Sequence, residues 1–333
     1  MYGIDGQMQR FYLVYVAQRK EIIVEEFFTK KKNVLIISLI CTLLWGSAFP
    51  VIKISYEKLK IPAEDIFSKI YFAGLRFFIA SILVFLVSKF LLKANLKVKS
   101  SYIRPLIILG LLQTTLQYFF FYIGIANTSG IKSAIFQSSG IFFTVIAAHF
   151  IYRDDKLNSR KILSLVLGLG GILITNIGKG FDLHFTLLGE GFLLSSAIVN
   201  TIATFYVKSI SKDIDPILLT GGQMFSGSII LLIVGKIGLK GESLSFDGST
   251  IMLLLYAAFI SATAFLLWYM LLKFNKAGEI SIYRLFIPVF GSTLSAIFLE
   301  GESFTIKLLI SLLLVISGIA VLNLETGESV NKT

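Results

Sequence analysis

The sequence predicts an all-α polytopic membrane protein whose ten transmembrane helices form two inverted five-helix repeats. Three observations predict it. First, 55% of the 333 residues are hydrophobic and only 15% are charged, against about 25% charged in soluble domains; mean hydropathy is +0.81. A soluble fold has no interior large enough for that much apolar surface. Second, the apolar residues gather into ten runs, each close to the roughly 20 residues that cross a bilayer as a helix. Third, the sequence repeats itself at an offset of 147 residues: Gly74 pairs with Gly221, Phe78 with Phe225, Lys89 with Lys236, Lys93 with Lys240, Tyr122 with Tyr269 and Asn176 with Asn323. No run alternates with period two over about ten residues, which speaks against an outer-membrane barrel.

The first run, 33–55, holds the single cysteine, Cys41, then Trp45, Gly46 and Pro50, and closes at Lys53. Proline lacks the N–H that an interior helical turn needs, so Pro50 marks a bend and a candidate gating position. The second run, 68–91, carries Arg76 about eight residues in, roughly 12 Å along a helix. The third, 102–126, places Gln113 and Gln117 on one face at i and i+4, beside a stripe of Thr114, Tyr118 and Tyr122. The fourth, 131–151, carries Gln137. The fifth, 160–178, is aliphatic, with glycine at 168, 170 and 171 for close packing. The sixth, 186–208, carries Glu190 near its outer end, read as a surface residue, and Asn200 at mid-run. The seventh, 217–236, has Gln223 among small residues. The eighth, 249–272, offers Tyr256, Ser261 and Thr263, with Trp268 and Tyr269 expected in the interfacial aromatic belt. The ninth, 277–299, carries Tyr283, Arg284 and Pro288, a second candidate gating proline. The tenth, 305–323, resembles the fifth in composition and is expected, like it, to brace its own half.

The net charge of +11 does not point to nucleic acid, because the charge is sorted along the chain. With the N-terminus cytoplasmic, 20 basic residues fall on inside segments and nine on outside ones, as the positive-inside rule requires with both termini cytoplasmic. The setting is the plasma membrane, and the basic loops meet anionic lipid. Residues 1–32 are expected to be a cytoplasmic tail. They contain a seven-residue apolar run without a small-residue cleavage site, so they do not read as a signal peptide; a native start near Val24 is the competing expectation. His149 and His184 stand alone, so neither a metal site nor any other cofactor is expected. There is no P-loop and hence no built-in ATPase.

Five spans per half is an odd number, so the second half enters the membrane upside down. Inverted repeats are a plan of secondary transporters, with the substrate site near the midplane between the halves. The organisation expected is a tail over 1–32, repeats over 33–178 and 185–323, and a cytoplasmic tail over 324–333. Within this frame WGSAFPVIK, residues 45–53, resembles the opening motif of the EamA-type transporters of the drug/metabolite transporter superfamily. GLRFFIAS, residues 74–81, resembles their second span, where an arginine is usual. SAIFQSSGIFFTVIAAHFIYRD (133–154) and SIYRLFIPVFGSTLSAIFLEGE (281–302) resemble the family's two copies of one motif. Ile141 departs by standing where the second copy has Pro288, and Asp154-Asp155 by standing where it has Gly301-Glu302. The resemblance implies ten helices around a central cavity and, commonly, export of amino acids or other small metabolites.

An ionisable group inside hydrocarbon needs a partner or a purpose. For Arg76 and Arg284 two readings stand: a staple between helices, or a cavity charge for a carboxylate or phosphate. In the repeat, Arg76 aligns with Gln223 and Gln137 with Arg284. The amides Gln113, Gln117, Gln137, Asn200 and Gln223, with Trp45, Tyr256 and Tyr283, complete the candidate substrate cavity. The expected partners are a small-molecule substrate and the bilayer, not nucleic acid, with a homodimer also allowed. A membrane-embedded lipid-modifying enzyme would need clustered His, Asp or Glu at an interface, which the sequence lacks. A receptor or scaffold would have no need of the inverted symmetry.

Overall fold

The computed structural model describes residues 19, 21–90, 98–128, 130–176, 185–241, 244–300 and 303–324. His184, Lys93 and Gly301-Glu302 lie outside the described residues, as do most of both tails; Asn176 is placed in its helix by backbone only. Long helices follow one another: α1 Lys31–Lys58, α2 Ile66–Phe90, α3 Ser100–Ala126, α4 Gly130–Ile151, α5 Ser159–Asn176, α6 Leu187–Ile210, α7 Pro216–Gly238, α8 Gly248–Phe274, α9 Ala277–Phe298 and α10 Ile306–Asn323. There is no strand among the described residues. Eight of these helices, all but α4 and α5, are long and apolar enough to cross a membrane; α4 contributes the shorter apolar stretch Phe136–Ile151.

Short polar side chains start the helices, because the first N–H groups of a helix lack intrahelical partners. Asp247 accepts from the Thr250 N–H while the Thr250 hydroxyl accepts from the Asp247 N–H, a reciprocal cap on α8. Thr186 caps α6, Thr305 caps α10, and Asp215 caps α7, whose first residue is Pro216. Three backbone departures matter for function. Gly110–Leu116 of α3 is a π-helical stretch. Pro50 lies inside the otherwise continuous α1. In α9 a 3₁₀ turn, Tyr283–Leu285, separates Ala277–Ile282 from Phe286–Phe298. The turn sits where Pro288 cannot donate to the Arg284 carbonyl four residues back. The matching helix α4 has Ile141 at that place and runs unbroken.

Helix α2 packs on α7, α5 on α10, α4 on α6, and α1 on both α8 and α9; α3 lies against α6 and α7. α5 and α10 pack mainly on each other, and each also touches its own half, α5 on α4 and α10 on α9. Small residues permit the closest approaches. A Cβ on Gly110 would meet Ser226 Oγ at 2.1 Å and Gln223 O at 2.6 Å, and one on Gly227 would meet Gly110 O at 2.4 Å, so α3 and α7 touch backbone to backbone. On the other side, a Cβ on Gly46 would meet Phe290 Cβ at 2.7 Å. The outer faces carry large exposed apolar side chains such as Phe90, Phe150, Ile237 and Met252. A soluble monomer rarely shows apolar surface on this scale; acyl chains are its natural solvent.

Two residues differ from the belt expectation. Trp268 and Tyr269 are 3% and 1% exposed, because α8 turns that face into the bundle, where Trp268 meets Trp45 and Tyr269 meets Phe265 edge to face. Glu190 is likewise not a surface residue. It is 2% exposed and accepts hydrogen bonds from the Thr128 hydroxyl and from the N–H and hydroxyl of Thr186.

Candidate functional site

The polar side chains that the apolar runs carry at mid-length are brought together inside the bundle. From α9, Arg284 Nη1 donates to Asn200 Oδ1 of α6 at 2.7 Å. Asn200 Nδ2 in turn donates to Gln117 Oε1 of α3 at 3.0 Å, and Gln113 donates to the same oxygen. The Gln117 backbone carbonyl accepts from Ser196 Oγ at 2.9 Å. On the other side of α3, the Thr114 hydroxyl donates to Gln223 Oε1 of α7, and Thr115 Oγ1 donates to the Gly227 carbonyl at 3.0 Å. The π-helical stretch explains this reach. Its widened turn buries Gln113, Thr114 and Thr115 together, so one helix serves α6 and α7 at once.

Arg76 of α2 is 5% exposed. Its Nη2 donates to Tyr118 OH at 3.3 Å, and its guanidinium carbon lies 4.4 Å from the Phe77 ring centre and 5.5 Å from that of Tyr118. Tyr118 follows Gln117, which Asn200 links to Arg284, so neighbouring residues of α3 carry the contacts of both arginines. Phe77 is stacked edge-on against Tyr118 and Phe265, and Phe265 against Trp45, so an aromatic wall runs from the arginines to α1 and α8. Neither guanidinium pairs with a carboxylate among the described residues. The Nε atoms of Arg76 and Arg284, with Nε2 of Gln223 and Oε1 of Gln137, are buried without a hydrogen-bond partner among the described residues. Buried polar atoms are almost always satisfied, and three of these four belong to residues of the cluster, Arg76, Gln223 and Arg284.

The expected cavity residues divide. Arg76, Gln113, Gln117, Asn200, Gln223 and Arg284 form the cluster, and Trp45 reaches it through the aromatic wall. Among the described residues Gln137 joins no bonded network. Tyr256 is 42% exposed, stacks on Phe259 and meets Ser47 Oγ at 3.3 Å, so it stands on the outer face of α8 and not in the cluster. Tyr283 is buried, but its hydroxyl donates to Asn323 Oδ1 at 2.8 Å and ties α9 to α10. Pro50 is buried one turn after Gly46, where α1 lies against Phe290 and Gly291. Pro288 lies one helical turn beyond Arg284. Tyr118 was legible only as part of a stripe; an aromatic at i+1 from Gln117 carries no signal of its own.

A second group of charges lies at the end of the bundle where α4 meets α5. Asp155 and Lys161 are both 1% exposed and form an ion pair. Asp155 Oδ2 also accepts from the Gly278 N–H at 2.7 Å, at the start of α9. Lys208 Nζ donates to the Asn275 carbonyl at 2.6 Å. A hollow of about 350 Å³ between these elements is lined by Thr29, Tyr152, Asp154, Lys208, Phe274 and Glu279, among others. Burial, then the Asp155 and Asp154 charges, push the Tyr152 phenol above its ordinary value. The pairing of Asp155 with Lys161 carries no sequence signal, because loop charges next to a span usually face water. His149 Nδ1 accepts the Leu157 N–H at 3.0 Å and serves the same loop. Among the described residues there is no group of three or more His, Cys, Asp or Glu that would hold a metal.

The model of the EamA-like transporter family matches residues 32–177 and 187–324. Two Bacillus subtilis (strain 168) proteins, described as the uncharacterized transporters YvbV and YoaV, are 26% and 28% identical to the chain. They cover 85% and 84% of it and 89% and 92% of their own lengths. A probable amino-acid metabolite efflux pump of Escherichia coli (strain K12) is 22% identical over 80% of this chain and 86% of its own. One crystal structure aligns at a TM-score of 0.70 and 14% identity, covering 88% of this chain and 97% of that one, and shows a shared fold. These relatives are named as transporters rather than enzymes, and the apolar helices make the chain a multi-pass membrane protein. Two matched stretches spanning most of its length show that the chain belongs to the EamA-like transporter family.

Proposed function

We propose that the protein is a secondary transporter that exports small polar metabolites, amino acids or related compounds, by alternating access. It crosses the plasma membrane ten times as two inverted repeats, 33–178 and 185–323, with both termini cytoplasmic. The helix pairs support this reading. Exchanging each helix of one half for its mate turns the α1–α9 contact into α6–α4, α1–α8 into α6–α3 and α2–α8 into α7–α3, all of which occur, while α2–α7 and α5–α10 map onto themselves. Such a pairing gives two equivalent gates around one site.

The observation that carries the proposal is the cluster itself. Arg76, Gln117, Tyr118 and Thr114 come from one half, and Arg284, Asn200 and Gln223 from the other. A site built across the interface of two halves is remade whenever the halves rock. Polar groups converging in an otherwise apolar, aromatic-walled interior are the usual form of a small-molecule site.

The test is counterflow in liposomes reconstituted with the purified protein. Arg76→Ala and Arg284→Ala are expected to abolish flux while membrane insertion stays at the wild-type level. Wild-type flux in both variants would make the arginines staples. Solute binding without any flux would make the protein a receptor.

A further inference from the structure

The charge balance of the cluster names a substrate class more narrowly than the family does. Two guanidinium groups meet neighbouring residues of α3: Arg76 donates to Tyr118, and Arg284 reaches Gln117 through Asn200. Around them stand neutral groups: Gln113, Gln117, Asn200, Gln223 and Thr114. Of the 20 acidic residues in the chain, those within the long apolar helices sit near helix ends. Glu57 is exposed in the last turn of α1, and the less exposed carboxylates are engaged away from the cluster. Glu190 caps the start of α6 through Thr128 and Thr186. Glu279 is half-buried in the first turn of α9 and faces Lys276. Asp155 pairs with Lys161.

An amino acid would bring an ammonium group into this site along with its carboxylate. That ammonium would lose its water, find no carboxylate to replace it, and lie beside two like charges, which is the costliest arrangement for a buried charge. A ring face of Trp45 or Phe265 offers a cation only a weak substitute. A carboxylate alone meets the opposite situation. It gains charge-assisted hydrogen bonds from guanidinium atoms that the protein leaves unpartnered, and the aromatic wall of Phe77, Phe265, Trp45 and Trp268 receives its apolar body.

We propose that the substrate held between Arg76 and Arg284 is an organic acid: a carboxylate-bearing solute with an apolar or aromatic body and no ammonium group. The inference rests on the transporter reading above and deepens it.

The experiment uses the full-length protein in liposomes and in detergent, with matched pairs of solutes that differ by one α-ammonium: 3-phenylpropanoate and phenylalanine, 4-methylpentanoate and leucine, succinate and aspartate. Thermal stabilisation gives the half-saturating concentration, and counterflow gives transport. In at least one pair the acid is expected to act at about tenfold lower concentration than its amino counterpart, an effect on the scale of one uncompensated charge contact. Arg284→Gln is expected to erase that preference and Arg76→Lys to keep part of it. The comparison within each pair is made on the wild-type protein, so it stands even if a variant fails to fold. If amino acids bind and move as well as or better than the acids in every pair, the organic-acid assignment is overturned and the transporter reading survives. Tighter stabilisation by phenyl phosphate than by any carboxylate also overturns it. If no solute of either kind binds or moves, both this assignment and the reading beneath it fall.

Discussion

Asn200 uses both ends of one amide: its oxygen accepts from Arg284 and its nitrogen donates to Gln117. Replacing it by leucine leaves Arg284 Nη1 and Gln117 Oε1 each short of a partner. Interhelical hydrogen bonds in membranes average about 0.6 kcal/mol, so Asn200→Leu is expected to cost about 1 kcal/mol of stability. Its larger effect falls on the half-saturating substrate concentration in counterflow, because Arg284 loses its anchor. Asp155 sits in a different regime. It and Lys161 are nearly inaccessible, and removing one member of a buried pair costs about 3–5 kcal/mol. Asp155→Ala is therefore expected to lower the melting temperature of the detergent-solubilised protein sharply. Asp155→Leu combined with Lys161→Met is expected to recover most of the loss, because no uncompensated charge is then buried. Asp247 provides the pH test. Hydrogen bonds from the Thr250 N–H and from the Thr250 and Ser249 hydroxyls hold its carboxyl at about 2, below the ordinary 3.8. A carboxyl held low in the fold stabilises above its unfolded value and loses that contribution as pH falls through the folded one. The melting-temperature gap between wild type and Asp247→Ala is expected to be full above pH 4 and to close toward pH 2.

The helices differ most where their backbones depart from the α-form. The 3₁₀ turn of α9 places Arg284 at the junction of two helical pieces, and Pro288 removes the bond that would restore a regular turn. In α1, Pro50 leaves the Gly46 carbonyl without its usual donor, one turn beyond Trp45 and against Phe290 and Gly291 of α9. Pro50→Ala supplies that donor and stiffens α1. It is expected to change the rate of counterflow several-fold while the half-saturating concentration stays within about twofold, the pattern of a conformational step rather than a binding step. Comparable rates with altered affinity would remove Pro50 from the gate. The α3–α7 contact sets a steric limit. Gly227→Ala forces a Cβ to within 2.4 Å of a backbone oxygen, and overpacking of this kind costs about 1–3 kcal/mol, readable as a lower melting temperature.

At the scale of the molecule, the proposed orientation has a direct test. Cys41 is buried and is the sole cysteine, so a Cys41→Ser background accepts single reporters. Lys212→Cys is expected to react with an impermeant maleimide only from the cytoplasmic side of sealed vesicles, and Lys58→Cys only from the outer side. The same side for both would overturn the topology. Much of the bundle was legible beforehand. Hydrophobic run length located the helices to within a few residues, since a helix that faces lipid must be apolar over its whole crossing. The pairing of α5 with α10 was not legible, because aliphatic helices of similar composition carry no signal for which neighbour they choose. The buried positions of Trp268, Tyr269 and Glu190 were not legible either, because residue type near a run's end does not say which face the helix turns inward.

The sequence by itself determined the solvent, the helices, the repeat and the polar residues that had to find a use inside them. Each of these follows from composition or from local spacing. The tertiary structure alone decided which of those polar residues meet. It joined Arg284 through Asn200 to Gln117, set Tyr118 against Arg76, sent Tyr256 to the surface and Tyr283 to Asn323, and closed Asp155 on Lys161 and Gly278. The physical reason is that a span must be apolar whichever helices it touches, whereas a hydrogen bond between helices depends on rotation and register, which the π-stretch of α3 and the 3₁₀ turn of α9 set.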